Sequence, residues 1–238
     1  MKKLLLTLIC VSVFSSSAWA QKNWKIELNS MGGMVLGDFS KSDPLNNTSG
    51  FSEYSYFADL TAKYYFDDLG VGVKLYSGGF SLDNEDYSEG LASLLGATSD
   101  AIFYRQNIGY FSFGTQVGLS YKINFSEQFN LEPSIYGGFF NMVVPADNLV
   151  YNDGNSTRTY VSEISGSFGA IFTPGLKLNW QFHEIVGFSF NTEYIYTVVD
   201  EVEGDALDYN YLTTTKLEFE RKLAPQAFQL GFGVYAVF

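Results

Sequence analysis

From residue 24 onward, apolar and polar positions alternate along most of the chain. In the clearest stretch, Phe111, Phe113, Thr115, Val117, Leu119, Tyr121, Ile123 and Phe125 share one face. Ser112, Gly114, Gln116, Gly118, Ser120, Lys122 and Asn124 take the other. A period of two marks a strand with one apolar and one polar side. Residues Phe168 to Phe182 repeat it, with Phe168, Ala170, Phe172, Pro174, Leu176, Leu178, Trp180 and Phe182 opposed to Ser167, Gly169, Thr173, Lys177 and Asn179. Further segments of this kind run over about 24–37, 54–66, 71–81, 129–143, 186–199, 211–222 and 228–238. Each can cross a bilayer as a tilted strand, which takes about nine to eleven residues.

The connections between these segments are unequal. Asp67 to Gly70, Ser126 to Gln128 and His183 to Ile185 are tight turns, while 38–53, 82–108, 144–165 and 200–210 are long, polar and acidic. Short turns at one end and long loops at the other predict an all-β, antiparallel, up-and-down transmembrane barrel. Nine segments conflict with the even strand number of bacterial barrels. Either 211–222 and 228–238 do not both cross, or Thr157 to Ile164 adds a tenth strand; eight strands are expected, with ten as the alternative. In the second long loop, Tyr87, Leu91, Leu94 and Leu95 have helical spacing. That suits a loop helix packing on itself, or a lid over the barrel mouth.

Soluble barrels and sandwiches alternate too, so charge and aromatic placement must decide. Lys25, Glu27, Asp59, Lys63, Lys74, Lys122, Glu132, Lys177, Glu193, Lys216, Glu218 and Glu220 all lie opposite the apolar face. In a membrane barrel they must enter the lumen, because a lipid-facing Lys costs roughly 2–4 kcal/mol at the midplane. On the apolar face, Trp24, Tyr64, Phe66, Phe125, Phe129, Trp180, Phe182 and Phe188 stand beside the short turns. Tyr54, Tyr56, Phe111, Phe113, Phe139, Phe168, Tyr194, Tyr196 and Tyr211 stand near the long loops. Ala58, Leu60, Val117, Leu119 and Ala170 lie between. Two aromatic girdles around an aliphatic belt match the two interfaces of a bilayer.

Residues 1–20 read as a cleavable signal peptide: Lys2 and Lys3, an apolar run from Leu4 to Phe14, then Ala18-Trp19-Ala20. The run is too short to span a bilayer as a helix, and residues 21–238 form the barrel domain. Cys10, the only cysteine, follows Ile9 rather than the small residue a lipoprotein signal needs. Without Lys2 and Lys3, 12 basic face 26 acidic residues, a net charge of −14. That balance excludes the basic footprint of a nucleic-acid binder.

The last segment alternates and ends on Phe238, with Gly233 upstream. It resembles the C-terminal assembly signal of bacterial outer-membrane proteins, departing from it at Ala236. In layout the chain resembles the small barrels, the OmpA-like transmembrane domain and the OmpW-like porin family. The resemblance implies outer-membrane lipid and lipopolysaccharide as surroundings and the barrel-assembly machinery as a partner in biogenesis. No cofactor and no nucleic acid are implied.

Candidate chemistry is sparse. His183, the only histidine, falls in a tight turn with no serine beside it to serve as nucleophile, which opposes a lipid-modifying enzyme. Asp83, Glu85 and Asp86, and Asp200, Glu201, Glu203, Asp205 and Asp208, are oxygen-ligand clusters without the spacing of a calcium loop. They suit solvated loops, or loops bridged by divalent cations to lipopolysaccharide phosphates. The lumen is richer. Lys63, Lys74, Lys122 and Lys177 lie three to five residues from a short turn, with Asp59, Glu132 and Glu193 at nearby heights. An eight-strand interior is just wide enough to be filled by side chains. These residues therefore form either a salt-bridge plug or the constriction of a narrow charged path. A structural or surface-interaction barrel with acidic external loops is the favoured expectation, and a narrow conduit for ions or small solutes the second.

Overall fold

The computed structural model describes residues 23–43, 45–98, 102–104, 109–210 and 212–238. The expected signal peptide, with Cys10, lies outside the described residues. In chain order the strands are β1 (Trp24–Leu36), β2 (Tyr54–Phe66), β3 (Leu69–Ser81), β4 (Ile102–Tyr104), β5 (Gly109–Tyr121), β6 (Ile123–Asn124) and β7 (Phe129–Val144). They continue as β8 (Asn148–Asn152), β9 (Thr157–Ser162), β10 (Ser165–Trp180), β11 (Val186–Val199), β12 (Val202–Tyr209), β13 (Thr214–Arg221) and β14 (Gln226–Val237). A helix, α1 (Asn84–Leu94), follows β3.

Eight of the strands close on one another in the order β1-β2-β3-β5-β7-β10-β11-β14, every pair antiparallel. The short β6 continues β5 along β7. The seam is tied at its end, where the Phe238 amide donates to the Trp24 carbonyl (2.9 Å) and the Trp24 amide donates to the Phe238 carbonyl (3.1 Å).

The barrel has the eight strands expected, and the parity is settled by the segment read over 211–222. Its strand β13 (Thr214–Arg221) pairs with β12 in a separate five-stranded sheet, ordered β13-β12-β9-β8-β4, and does not cross the membrane. Residues 157–164 supply β9 of that same sheet, not a tenth barrel strand. Alternation identifies a strand but says nothing about which sheet it joins, and removing 211–222 restores the even count.

The wall alternates as the sequence does. Along β1, Trp24, Ile26 and Leu28 are exposed while Lys25, Glu27 and Asn29 are buried. The exposed face carries Leu60, Val73, Val117, Leu119, Ile135, Phe172 and Phe232 as a continuous apolar belt. Such a surface would be a liability in water and is what lipid requires. At the short-turn end, Trp24 packs on Tyr64, Tyr64 on Phe66, Phe129 on Trp180 and Trp180 on Phe182. Phe125 joins that band, 65% exposed.

The long loops fold rather than trail. Asp83 caps α1 by accepting the amides of Glu85 and Asp86 (3.0 and 3.1 Å). Tyr87 and Leu91 turn inward with Leu149, Tyr151 and Tyr160 of the five-stranded sheet. This cluster is continuous with the barrel residues Phe57, Phe80, Tyr110 and Phe140. Taking the short turns as periplasmic, the helix and second sheet form a cap on the extracellular mouth.

Candidate functional site

The site is the lumen, and it is filled at two levels. At the periplasmic level, β1 supplies Lys25 and Glu27, β2 supplies Lys63 and Tyr65, β7 Glu132, and β10 Lys177 and Asn179. The parity that turns the neighbouring aromatics to lipid turns these inward.

Glu27 binds three cations: Lys25, Lys63 (3.1 Å) and Lys177 (2.7 Å). Glu132 binds Lys25 (2.9 Å) and Lys63, accepts the Tyr65 hydroxyl (2.8 Å), and receives the Asn179 amide at 3.0 Å. One step toward the outside, Lys74 donates to both oxygens of Glu193 (2.7 and 2.8 Å). Asp59 there accepts Asn29 (2.8 Å) and Thr61 (2.7 Å).

All these charges are at most 3% exposed, and four lysines face four carboxylates, so the formal charges of these eight groups balance. A void of about 10 Å³ between Asp59, Lys74, Gln116 and Glu193 has room for about one water. Two glycines make space for the polar fill. A Cβ on Gly233 would stand 2.0 Å from the Asn29 Oδ1, and one on Gly187 would stand 2.2 Å from the Tyr235 ring. Gly233 thus has a local structural reason in the Asn29–Asp59 cluster.

Above the charges the fill turns apolar. Phe57, Phe80, Tyr110, Phe140, Met142, Ile171 and Ile195 are buried inside the wall, and Phe39 packs on Phe80 and Tyr110. The extracellular cap covers them.

The residues expected in the lumen separate as follows. Lys63, Lys177 and Glu132 meet in the lower network; Lys74 and Glu193 pair one layer higher, beside Asp59. Lys122 does not join the lysine ring: its ammonium lies 3.4 Å over the Tyr65 ring, at the periplasmic rim. Lys216, Glu218 and Glu220, expected inside, are exposed on β13 of the cap.

Sequence reasoning had placed Lys25 and Glu27 on the lumenal face but not in the site, although they sit at its centre. They adjoin the chain's entry into the barrel rather than a short turn, so a turn-distance criterion passes over them. The apolar plug was also missed. Its signal was apolar residues at polar-parity positions, such as Phe57, Phe80 and Phe140, always near the long loops.

His183 is exposed in its turn, with Nδ1 accepting the Ile185 amide at 3.3 Å. Asp83 is spent on the helix cap. Asp205 pairs with Lys216 (2.8 Å) and Asp208 with Arg158 (2.6 Å). Among the described residues no group of three or more such side chains is arranged to hold a metal. In the cap, the Tyr87 hydroxyl donates to Asp147 Oδ2 at 2.6 Å, and burial raises its pKa, which keeps it a donor.

A closed eight-strand wall, apolar outside and polar or packed inside, defines a transmembrane β-barrel of the bacterial outer-membrane type. No protein-family profile and no curated protein sequence matches the chain. Similar solved structures include Ail, the attachment invasion locus protein of Yersinia pestis, at 12% identity and TM-score 0.46, covering 92% of this chain and 100% of that one. OprG of Pseudomonas aeruginosa is similar at 14% identity and TM-score 0.44, covering 90% and 95%. The outer-membrane protease OmpT of Escherichia coli is similar at 10% identity and TM-score 0.41, covering 91% and 97%.

Proposed function

We propose that this chain is a non-enzymatic outer-membrane barrel, exported by a cleavable signal peptide. Its middle is closed, and its extracellular cap is the surface that meets a partner. The observation that carries this reading is the double filling of the lumen. A neutral network of four lysines and four carboxylates lies in series with an aromatic plug, with room for about one water between them. The cap adds an acidic face, where Glu163, Glu203, Asp205, Glu218 and Glu220 border one cleft. Lipid and lipopolysaccharide surround the belt below it.

Single-channel recording of the refolded barrel in a planar bilayer tests the reading, after a heat-dependent gel shift has verified folding. Insertion without current is expected. Stepwise currents whose ion preference changes on Lys177→Glu would overturn it in favour of a narrow conduit. That second reading has one feature in its favour: lumenal side-chain oxygens of Ser112, Ser120, Ser134 and Tyr136 make no hydrogen bond among the described residues. They follow β5 and β7 as a polar strip. For the lipid-modifying enzyme, a lipid-release assay is expected to give the same baseline with His183→Ala as with the unaltered chain.

A further inference from the structure

Outside the lumen, the cap has a free edge. β13 stands last in the five-stranded sheet and pairs only with β12. Among the described residues, the backbone groups of Thr214 to Glu220 that face away from β12 make no backbone hydrogen bond. Beside that edge runs a groove of about 360 Å³, bordered by Leu217, Glu218, Glu220 and Arg221. Successive side chains of a strand point to opposite faces, so a groove that touches both parities follows the strand's edge. Its far wall is apolar, from Leu91 and Leu94 of α1 and Leu95 just after it. Both walls are braced without an occupant. Asp83 caps the helix, and the Lys222 amide, one residue past β13, donates to the Asn47 carbonyl (3.0 Å).

Charge narrows what can fit there. Across the β12–β13 pair, Glu220 stands opposite Glu203 and Glu218 opposite Asp205. Like charges directly opposite destabilise a strand pair. Lys216 answers only one of them, Asp205, at 2.8 Å. A hydrogen bond to Glu201, together with repulsion from Glu201 and Glu203, raises the pKa of Glu220. A strand added to the free side of β13 would place alternate side chains beside Glu218 and Glu220, where basic groups relieve the repulsion. The intervening side chains would enter the groove beside Leu217 and meet the α1 leucines.

We propose that the free edge of β13 takes up an extended segment of another protein in which basic and apolar residues alternate. Main-chain hydrogen bonds would supply affinity, and the groove and the two glutamates selectivity. The groove holds about a dozen waters, which suits the side chains of a short segment rather than a folded domain. Charges on an edge strand ordinarily keep other chains away. Glu218 and Glu220 repel acidic strands and favour basic ones. The inference rests on the cap being the surface that meets a partner, and it names that partner's chemistry.

The test uses the full chain in nanodiscs of zwitterionic lipid, with a synthetic peptide of about nine residues, alternating lysine and leucine, to span β13. One control peptide is N-methylated at every amide, which keeps the side chains but prevents strand addition; a second alternates glutamate and leucine. Amide exchange over Thr214 to Glu220 is expected to slow at least about tenfold with the lysine–leucine peptide and with neither control. Glu218→Lys combined with Glu220→Lys is expected to weaken binding at least about tenfold, while the heat-dependent gel shift verifies folding. Equal protection by the N-methylated peptide, or binding unchanged in the charge-reversed variant, would overturn the proposal. So would protection of the edge without peptide that grows with protein concentration, which makes a second copy the occupant. Protection confined to 163–166 would overturn the edge yet keep the cap as the partner surface, and no protection anywhere in the cap would overturn the proposal outright.

Discussion

The two halves of the lumen share one wall and one membrane, yet they are filled by opposite chemistry. The periplasmic half holds Lys25, Glu27, Lys63, Glu132 and Lys177; the extracellular half holds Phe57, Phe80, Phe140 and Ile171. The difference lies in what covers each end. Only short turns stand over the lower fill, and its charges, at most 2% exposed, must satisfy one another. The upper fill continues into α1 and the five-stranded sheet, which bury it on the remaining side as a soluble core would be buried. Alternation decides which side chains enter a small barrel, and the cover at each mouth decides what they can be.

The sharpest way to break the comparison is to remove the carboxylate that three lysines share. Glu27→Gln leaves Lys25, Lys63 and Lys177 with Glu132 alone, in a region from which water is excluded. Breaking a buried pair by removing one partner costs about 3–5 kcal/mol, and urea unfolding of the refolded barrel is expected to show a loss of that size. Adding Lys177→Met to Glu27→Gln should restore part of the loss, because the uncompensated charge is then smaller. A double variant as unstable as the single one would mean that Glu27 acts through packing rather than charge.

Phe140→Ala attacks the other half. Truncating a fully buried phenylalanine costs about 3 kcal/mol or somewhat more, and here the damage should reach upward. Limited proteolysis of the cap is expected to speed up with Phe140→Ala and to stay unchanged with Glu27→Gln. Because the fills stand in series, each single variant should also remain silent in a planar bilayer.

Much of this architecture could be read from the residues. The eight crossing segments, the lumenal parity of Lys63, Lys177 and Glu132, and the girdle of Trp24, Phe129 and Trp180 all follow from a period of two combined with the energetics of lipid exposure. Partners across the barrel do not follow from it. Glu27 and Lys177 lie 150 positions apart and meet only because the sheet closes, and local periodicity carries no information about closure. Strand 214–221 alternates as well as any barrel strand, so its transfer to the cap depends on its pairing with 202–209, a long-range choice. Phe57 and Phe140 look like faults in the pattern until the cap that buries them is known.

Smaller effects sharpen the boundary between barrel and cap. Asp83→Ala removes the side chain that accepts the amides of Glu85 and Asp86, at a cost of about 1 kcal/mol to the helix. The loss should be local. Hydrogen exchange along α1 is expected to quicken by several-fold, while the amides of β1 and β14, which close the seam, keep their protection. Equal acceleration in both would mean that cap and barrel unfold as one unit.

The smallest effect is expected at Lys216. Its ion pair with Asp205 has a short distance, 2.8 Å, comparable with the lumenal pairs, but both side chains are more than half exposed. Water already solvates each charge, and salt screens the attraction between them, so an exposed pair contributes about 0–1 kcal/mol. Lys216→Ala should therefore leave the unfolding midpoint almost unmoved, and any residual effect should fade in high salt. Lys74, whose pair with Glu193 has the same 2.7–2.8 Å geometry inside the wall, should give a loss several times larger on Lys74→Met, and one that salt does not erase. Distance is held nearly constant between these two pairs while burial changes, so comparing them isolates what the barrel interior contributes.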